Sequence, residues 1–435
     1  MANSKGGLGM YMRLQIAYAL EFAIWGCWSY MLGGWGEANH VNPGWLYSAF
    51  AFGALFAPVF GPIADSKYSA QKVFAFMQFL CGVALLACSF LAKSAASAAA
   101  EKIATNPDYV GSPGVPWLIA MFFAGLMFMP SIPLLNAIVF KHIPNDKKAP
   151  FVFIFGTLGW IAINLILGIK ALNGLETFFL IDGAIAIVLA IYALTLPDTP
   201  PAGSVNKDPF GLKAVSFLLS KRASFVFLLC ATMVGIFGSN YYFPLVDPCF
   251  PGKGVFNQYS EIIFMAALAF AVAKIGLRWV LTLGMLTWGI RYYFFSTGND
   301  SLALAGILLH GIAYAFLYTA AYMYGDKIAP KEMKASVQAL IAFLLLGVAQ
   351  VLSGIAVSEA KDRYKVGAVD DAPAVESTEK ASADTEAFYF FSTPAFAQDE
   401  LTLPEVEETN ELAQVAQDVQ EAAADVAQAA EDVAA

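Results

Sequence analysis

The sequence predicts an all-α polytopic membrane protein, and three observations predict it. Charged residues make up 14% of the 435 positions and hydrophobic residues 58%, with a mean hydropathy of +0.61; soluble domains carry about 25% charged residues. Apolar windows of about 20 residues, long enough to cross a bilayer as a helix, recur along the chain. Lysine and arginine gather on alternate connections between those windows.

The windows lie near 14–36, 45–64, 72–92, 116–140, 151–170, 175–196, 222–245, 257–274, 278–297, 302–325 and 335–357, eleven in all. The first is too long for a signal-peptide core and lacks a small-residue cleavage site after it, so it reads as a span. The longest polar interval among the spans, Pro197–Lys221, separates six from five. This sets the expected division: a six-helix bundle over 1–196, a central cytoplasmic loop over 197–221 and a five-span bundle over 222–357. Six plus six around a central loop is the plan of many transporters built from two repeats. A twelfth helix is therefore expected and is missing; a lost last helix is preferred over a genuine appendage.

The segment 358–435 is rich in Ala, Glu, Asp, Gln and Thr, cannot bury a core and is expected to be largely disordered. Its acid accounts for much of the pI near 4.9. With the N-terminus inside, sixteen Lys and Arg fall on cytoplasmic segments and four, Lys93, Lys102, Lys170 and Lys253, on outer ones. That asymmetry sets the orientation. The five cysteines have no paired or metal-ligand spacing. No nucleophile–base spacing, metal cluster or phosphate-cradling glycine loop points to an enzyme or to a cofactor.

Asn257–Lys274 carries the sharpest functional signal. Gln258 and Glu261, three residues apart, share one helix face near its start. A helix beginning near Phe256 puts Glu261 about 8 Å into the membrane at about 1.5 Å per residue. A carboxylate there costs about 2.5–3.5 kcal/mol, so it is expected to face a polar cavity and to serve function; the alternative is a structural tie to Arg291. Glu21, Trp25 and Trp28 share a face of the first helix, as do Thr157, Trp160 and Asn164 of the fifth; Tyr314, Tyr318 and Tyr322 form a stripe on the tenth. Rings beside amides and hydroxyls suit a ligand with planar and hydroxylated parts. Trp28 and Tyr322 read as packing or interfacial residues. His310, alone in a span, reads as a packing residue that could titrate.

Gly61-Pro-Ile-Ala-Asp65-Ser-Lys67 resembles the G-x-x-x-D-[RK] loop of the major facilitator superfamily, where Asp and Lys at the cytoplasmic rim can latch one bundle to the next. Six further stretches follow one another over about 14–357: Glu21-Phe-Ala-Ile-Trp-Gly-Cys-Trp28, Met129-Pro-Ser-Ile-Pro-Leu-Leu-Asn136, Phe155-Gly-Thr-Leu-Gly-Trp160, Gln258-Tyr-Ser-Glu261, Gly289-Ile-Arg291 and Ala335-Ser-Val-Gln338. In that order they resemble the nucleoside–proton symporter family within the superfamily. The resemblance implies the major facilitator fold, with 6 + 5 spans here, and a sugar-bearing substrate.

The chain departs from the family's pattern at three places. Phe153 stands where a basic residue is expected, Ala315 where an acidic one is, and Ser239 and Asn240 only partly represent an amide pair. The expected function is proton-coupled uptake of nucleosides by alternating access. The alternatives are transport of a sugar or other polar solute, or a truncated homologue that does not transport. Candidate solute-binding residues are Thr157, Trp160, Asn136, Asn240, Gln258 and Tyr318. Candidate proton-coupling residues are Glu261 first, then Glu21, with Arg291. The expected partners are the solute, protons and the lipid bilayer of the inner membrane, with no nucleic acid and a monomeric assembly.

Overall fold

A chain crossing lipid must satisfy its backbone hydrogen bonds within each segment, and the apolar windows do so as helices. The computed structural model describes residues 4–38, 50–106, 114–143, 148–167, 175–201, 212–236 and 253–353, and these residues contain no strand. Asn240 and the tail after 357 lie outside the described residues.

The helices are α1 (Ser4–Ala38), α2 (Phe50–Ser66), α3 (Ala70–Thr105), α4 (Val115–His142), α5 (Ala149–Leu167), α6 (Leu175–Ala193), α7 (Leu212–Ser220), α8 (Arg222–Ile236), α9 (Val255–Ile275), α10 (Leu277–Ser296), α11 (Asp300–Ile328) and α12 (Lys331–Ser353). Six of them, namely α3, α4, α5, α9, α11 and α12, are long and apolar enough to cross a membrane, and α2 and Thr177–Ala193 are shorter apolar helices. α7 and the helix after it form a pair bent by 106° that meets the same test only together. The expected spans 14–36 and 278–297 fall on α1 and α10. The interval Pro197–Lys221, read as loop, closes with the helix α7. α3 runs on to Thr105, well past the end expected at residue 92.

Large apolar side chains point outward where lipid would lie: Phe90 is 82% exposed, Ile191 66%, Phe270 66% and Trp279 65%. An aqueous surface would not tolerate such a belt. The core lies between helices. α1 packs on α5 and α6, and α3 packs on α4 and α6; α9 packs on α11 and α10, and α11 on α12. α5 also meets α9, and α12 meets α2 and α4. Small residues set the closest approaches. A Cβ on Gly159 would lie 2.0 Å from the Ala19 carbonyl oxygen, so α1 and α5 touch backbone to backbone there. Pro130 breaks α4 after Met129, and the helix resumes at Ser131. α11 and α12 each contain a π-helical turn, Ala315–Thr319 and Phe343–Val348; such turns recur at functional sites.

One end of the molecule collects basic residues and polar ties. The Tyr11 hydroxyl donates to Lys148 O, Arg13 Nη1 to Thr195 O, and Lys141 Nζ to Pro200 O. Gln71 Nε2 donates to Asp198 Oδ1 at 2.7 Å while its Oε1 accepts the Thr199 N–H at 2.9 Å. The starts of α1, α3 and α5 and the ends of α4 and α6 therefore meet at this end, as alternating up and down helices require. The Asp198 carboxyl is held below the usual carboxylate range, first by the Gln71 hydrogen bond and also by Lys72 and Lys141.

Candidate functional site

Glu261 sits on α9, 8% exposed, with a polar partner at each carboxyl oxygen. The Thr157 hydroxyl of α5 donates to Oε2 at 3.0 Å, and His310 Nε2 of α11 lies 2.8 Å from Oε1. One carboxylate thus joins three helices drawn from both parts of the chain. The position of His310 follows from close packing. A Cβ on Gly311 would stand 2.2 Å from the Ser260 carbonyl oxygen, and the Gly311 N–H donates to Ser260 Oγ at 2.9 Å. α9 and α11 are pinned there, and the residues next along each chain face each other.

The α11 partner of the Glu261 carboxyl is His310; a tie to Arg291 is the alternative that the sequence offers. Arg291 is fully buried, donates from Nε to Gly306 O at 2.7 Å and from Nη2 to Asn257 Oδ1 at 3.4 Å, and lies over the Trp288 ring at 4.6 Å. It braces α10 against α9 and α11. As a guanidinium it keeps its protons, so any part it has in coupling is positional.

A ladder of rings leads away from Glu261. His310 meets Trp288 edge-on at 5.8 Å and stacks on Tyr314 at 6.0 Å, and Tyr314 meets Tyr318 at 5.4 Å. On the α5 side Trp160, one turn beyond Thr157, meets Trp25 at 6.1 Å. Gln258 is half-buried one turn before Glu261. Polar atoms of these groups that are buried without a partner include His310 Nδ1, Trp288 Nε1 and, near Trp160, Asn164 Oδ1. Buried polar atoms are rarely left so unless something else binds them.

The structure thus brings together Thr157, Glu261, His310, Tyr314 and Tyr318, with Trp160 and Gln258 beside them. Asn136 Oδ1 accepts the Tyr18 hydroxyl at 2.6 Å, beside a second polar cluster around Glu21. Trp28 stacks on Phe50 at 3.6 Å. His310 is the member that the sequence reads as a packing residue. Its signal was a histidine in an apolar span with an aromatic one turn on, a pattern that packing also produces.

A third cluster closes the basic end. Asp65 of α2 accepts the Ala335 N–H at 3.1 Å, the Ser336 N–H at 2.8 Å and the Ser336 hydroxyl at 2.6 Å. The carboxylate thereby caps the α-helical part of α12 across the molecule.

Residues 8–391 match the family described as Nucleoside H+ symporter. YegT of Escherichia coli (strain K12) is 32% identical over 367 residues, covering 78% of this chain and 82% of YegT. A xanthosine permease of the same organism is 24% identical over 400 residues, covering 84% and 91%. Among solved structures, the nucleoside transporter NupG superposes with a TM-score of 0.55 at 21% identity, covering 82% of this chain and 91% of NupG. The major facilitator superfamily proton:xylose symporter XylE superposes with a TM-score of 0.58 at 13% identity, covering 88% and 93%. These likenesses give the fold, two packed sets of helices of the major facilitator kind.

Proposed function

From the premise that the chain belongs to the Nucleoside H+ symporter family, we propose that the transported nucleoside docks against Glu261. The protein is a multi-pass membrane transporter and not an enzyme: it couples nucleoside movement to protons and works by alternating access. The observation that supports this docking site is the bridging of α5 and α11 by one carboxylate through Thr157 and His310. Two hydroxyls of a ribose suit a carboxylate, which offers about four acceptor sites. Tyr314, Tyr318 and Trp160 offer faces on which a planar base can stack, and His310 Nδ1 and Asn164 Oδ1 offer polar contacts for base edges. Gln258 completes the polar wall from α9. Arg291 acts by bracing.

Residues 1–196 and 222–357 serve as the two rocking bundles, joined by 197–221. In the conformation described, Asp65 holds the basic end shut, so the solute would enter from the other end. The gathering of Arg13, Lys72, Lys141 and Lys148 at the shut end favours placing that end, and the N-terminus, in the cytoplasm. The membrane is then the inner one and the working unit a monomer.

The test is uptake into proteoliposomes with a panel of purine and pyrimidine nucleosides and free pentoses, run for the wild type and for Glu261→Gln. We expect nucleosides to be carried in both counterflow and gradient-driven modes, and Glu261→Gln to depress both. Transport of pentoses alone would overturn the nucleoside reading. Undiminished counterflow by Glu261→Gln would remove Glu261 from the solute site.

A further inference from the structure

The second polar cluster lies inside α1, α3 and α4. Glu21 is fully buried, and so are Gln78 and Ser131. Gln78 Nε2 donates to Glu21 Oε2 at 2.6 Å and lies 2.8 Å from Ser131 Oγ. Ser131 Oγ lies 2.6 Å from Glu21 Oε1 and 2.5 Å from Phe128 O.

These short contacts need more hydrogens than the neutral serine and the amide supply. Two oxygen–oxygen contacts at Ser131 each require a hydrogen between them, because bare oxygens repel at that distance. A serine hydroxyl has one hydrogen. The Gln78 N–H groups already point at Glu21 Oε2 and Ser131 Oγ, and Phe128 contributes a bare carbonyl oxygen. The remaining hydrogen has to come from Glu21. Its Oε1 carries a proton and donates to Ser131 Oγ, whose own hydrogen goes on to Phe128 O. Turning the Gln78 amide round makes the shortage worse, since an oxygen would then face both Glu21 Oε2 and Ser131 Oγ.

The surroundings agree with that count. Among the described residues the contacts at ion-pair distance are Lys334–Asp326 and, for a protonated imidazole, His310–Glu261, so none involves Glu21. The titratable groups that face it are Tyr18 on its own helix and Cys81 on α3; Asp182 on α6 lies beyond Cys81, and Tyr322 of α11 faces Tyr18. None of these is a cation. α5, packed against α1, carries no ionisable residue at all. A carboxylate in that setting would stand uncompensated in a low dielectric. Two further buried atoms have no partner, Gln78 Oε1 and Asn136 Nδ2, an acceptor and a donor through which water could reach the acid.

We propose that Glu21 carries the transported proton: it is a neutral acid while the basic end is shut, and it releases its proton to water when that end opens. This rests on the proposed symport and separates its two tasks. Glu261 meets the solute and Glu21 holds the proton. The link between them is the α1–α5 contact, where Gly159 rides on Ala19 and Gly156 on Tyr18 and Phe22. A shift of α1 that exposes Glu21 to water also moves Thr157, and with it the support of Glu261.

Glu21→Gln tests this, because the amide reproduces the neutral acid. It can donate to Ser131 Oγ and accept from Gln78, and it cannot release a proton. With one proton per solute, a gradient of about one pH unit supports about tenfold accumulation. In proteoliposomes Glu21→Gln should bring solute only to equal concentrations on the two sides while counterflow exchange continues. In infrared difference spectra taken across the transport cycle, a protonated-carboxyl C=O band present in the wild type should vanish. Tenfold accumulation by Glu21→Gln would overturn the proposal, and so would loss of counterflow in a variant that still binds nucleoside and elutes as a folded monomer. A wild type that never accumulates solute on a pH gradient would overturn the symport reading as well, whereas intact coupling in Glu21→Gln beside a coupled wild type overturns this inference alone.

Discussion

Replacing Asp65 by Asn should unlatch the basic end. In the shut conformation the Asp65 carboxylate takes three hydrogen bonds from the start of the α-helical part of α12, at 3.1, 2.8 and 2.6 Å. Gly61, one turn earlier, lets α2 come close enough: a Cβ there would lie 2.7 Å from Ser336 Cα. When the end opens, water replaces these donors around the carboxylate, so the gross strength of three charge-assisted bonds does not count in full. What remains is comparable to a helix N-cap with its dipole contribution, about 1–2 kcal/mol. Asn keeps the shape and one acceptor oxygen but loses the charge. The ratio of shut to open forms should therefore fall by roughly 5- to 30-fold, at about 1.4 kcal/mol per factor of ten. Lys67 and Lys331 are exposed on the two sides of the latch. Spin labels on cysteines placed at those two positions, in a background without the native cysteines, report the separation by double electron–electron resonance. The long-distance population should grow in Asp65→Asn. A distance distribution identical to that of the unsubstituted protein would refute the latch.

Three further outcomes follow from particular contacts. Gly311→Ala places a methyl group where α9 and α11 touch, so it should cost about 1–3 kcal/mol of stability, read as a lower melting temperature in detergent, and should weaken nucleoside binding by displacing His310. Thr157→Val removes a donor to Glu261 at nearly constant volume; a hydrogen bond to a charged group is worth about 1.5–3 kcal/mol, and unchanged nucleoside affinity by calorimetry would separate Thr157 from the site. Asp198 has a folded pKa below its unfolded one, so its stabilisation is present above the ordinary carboxylate value and is lost as pH falls through the depressed value. Acid melting curves of Asp198→Asn should lack that small step, and an unchanged curve would show that the tie to Gln71 does not depend on charge.

Much of the architecture can be read from the chain alone, because lipid leaves so few choices. A run of apolar residues that length has to be a helix, and the gathering of lysines on alternate connections marks one end. The family stretches, in their order, point to the fold and to the class of solute. Glu261 stands out for the same reason: a carboxylate inside an apolar run is costly wherever it ends up. Helical periodicity could also place Thr157 and Trp160 on one face, or Tyr314 and Tyr318 on another, since a face is a local property.

Partners are a different matter. Thr157 and His310 lie 104 and 49 residues from Glu261 in the chain, and no local pattern says which helix face will meet which. That is why Arg291, one span away, stands in the sequence as an alternative tie for Glu261, and why His310 reads there as packing. The structure decides through two close helix contacts, Gly311 on Ser260 and Gly159 on Ala19, which fix where the flanking side chains fall. Asn136 is another case: its motif suggests the solute, and only the packing of α4 on α1 shows that its Oδ1 accepts the Tyr18 hydroxyl. The protonation of Glu21 is furthest from the sequence. It depends on three oxygen atoms from Glu21, Ser131 and Phe128 converging within hydrogen-bond distance, with one hydrogen too few among the neighbours.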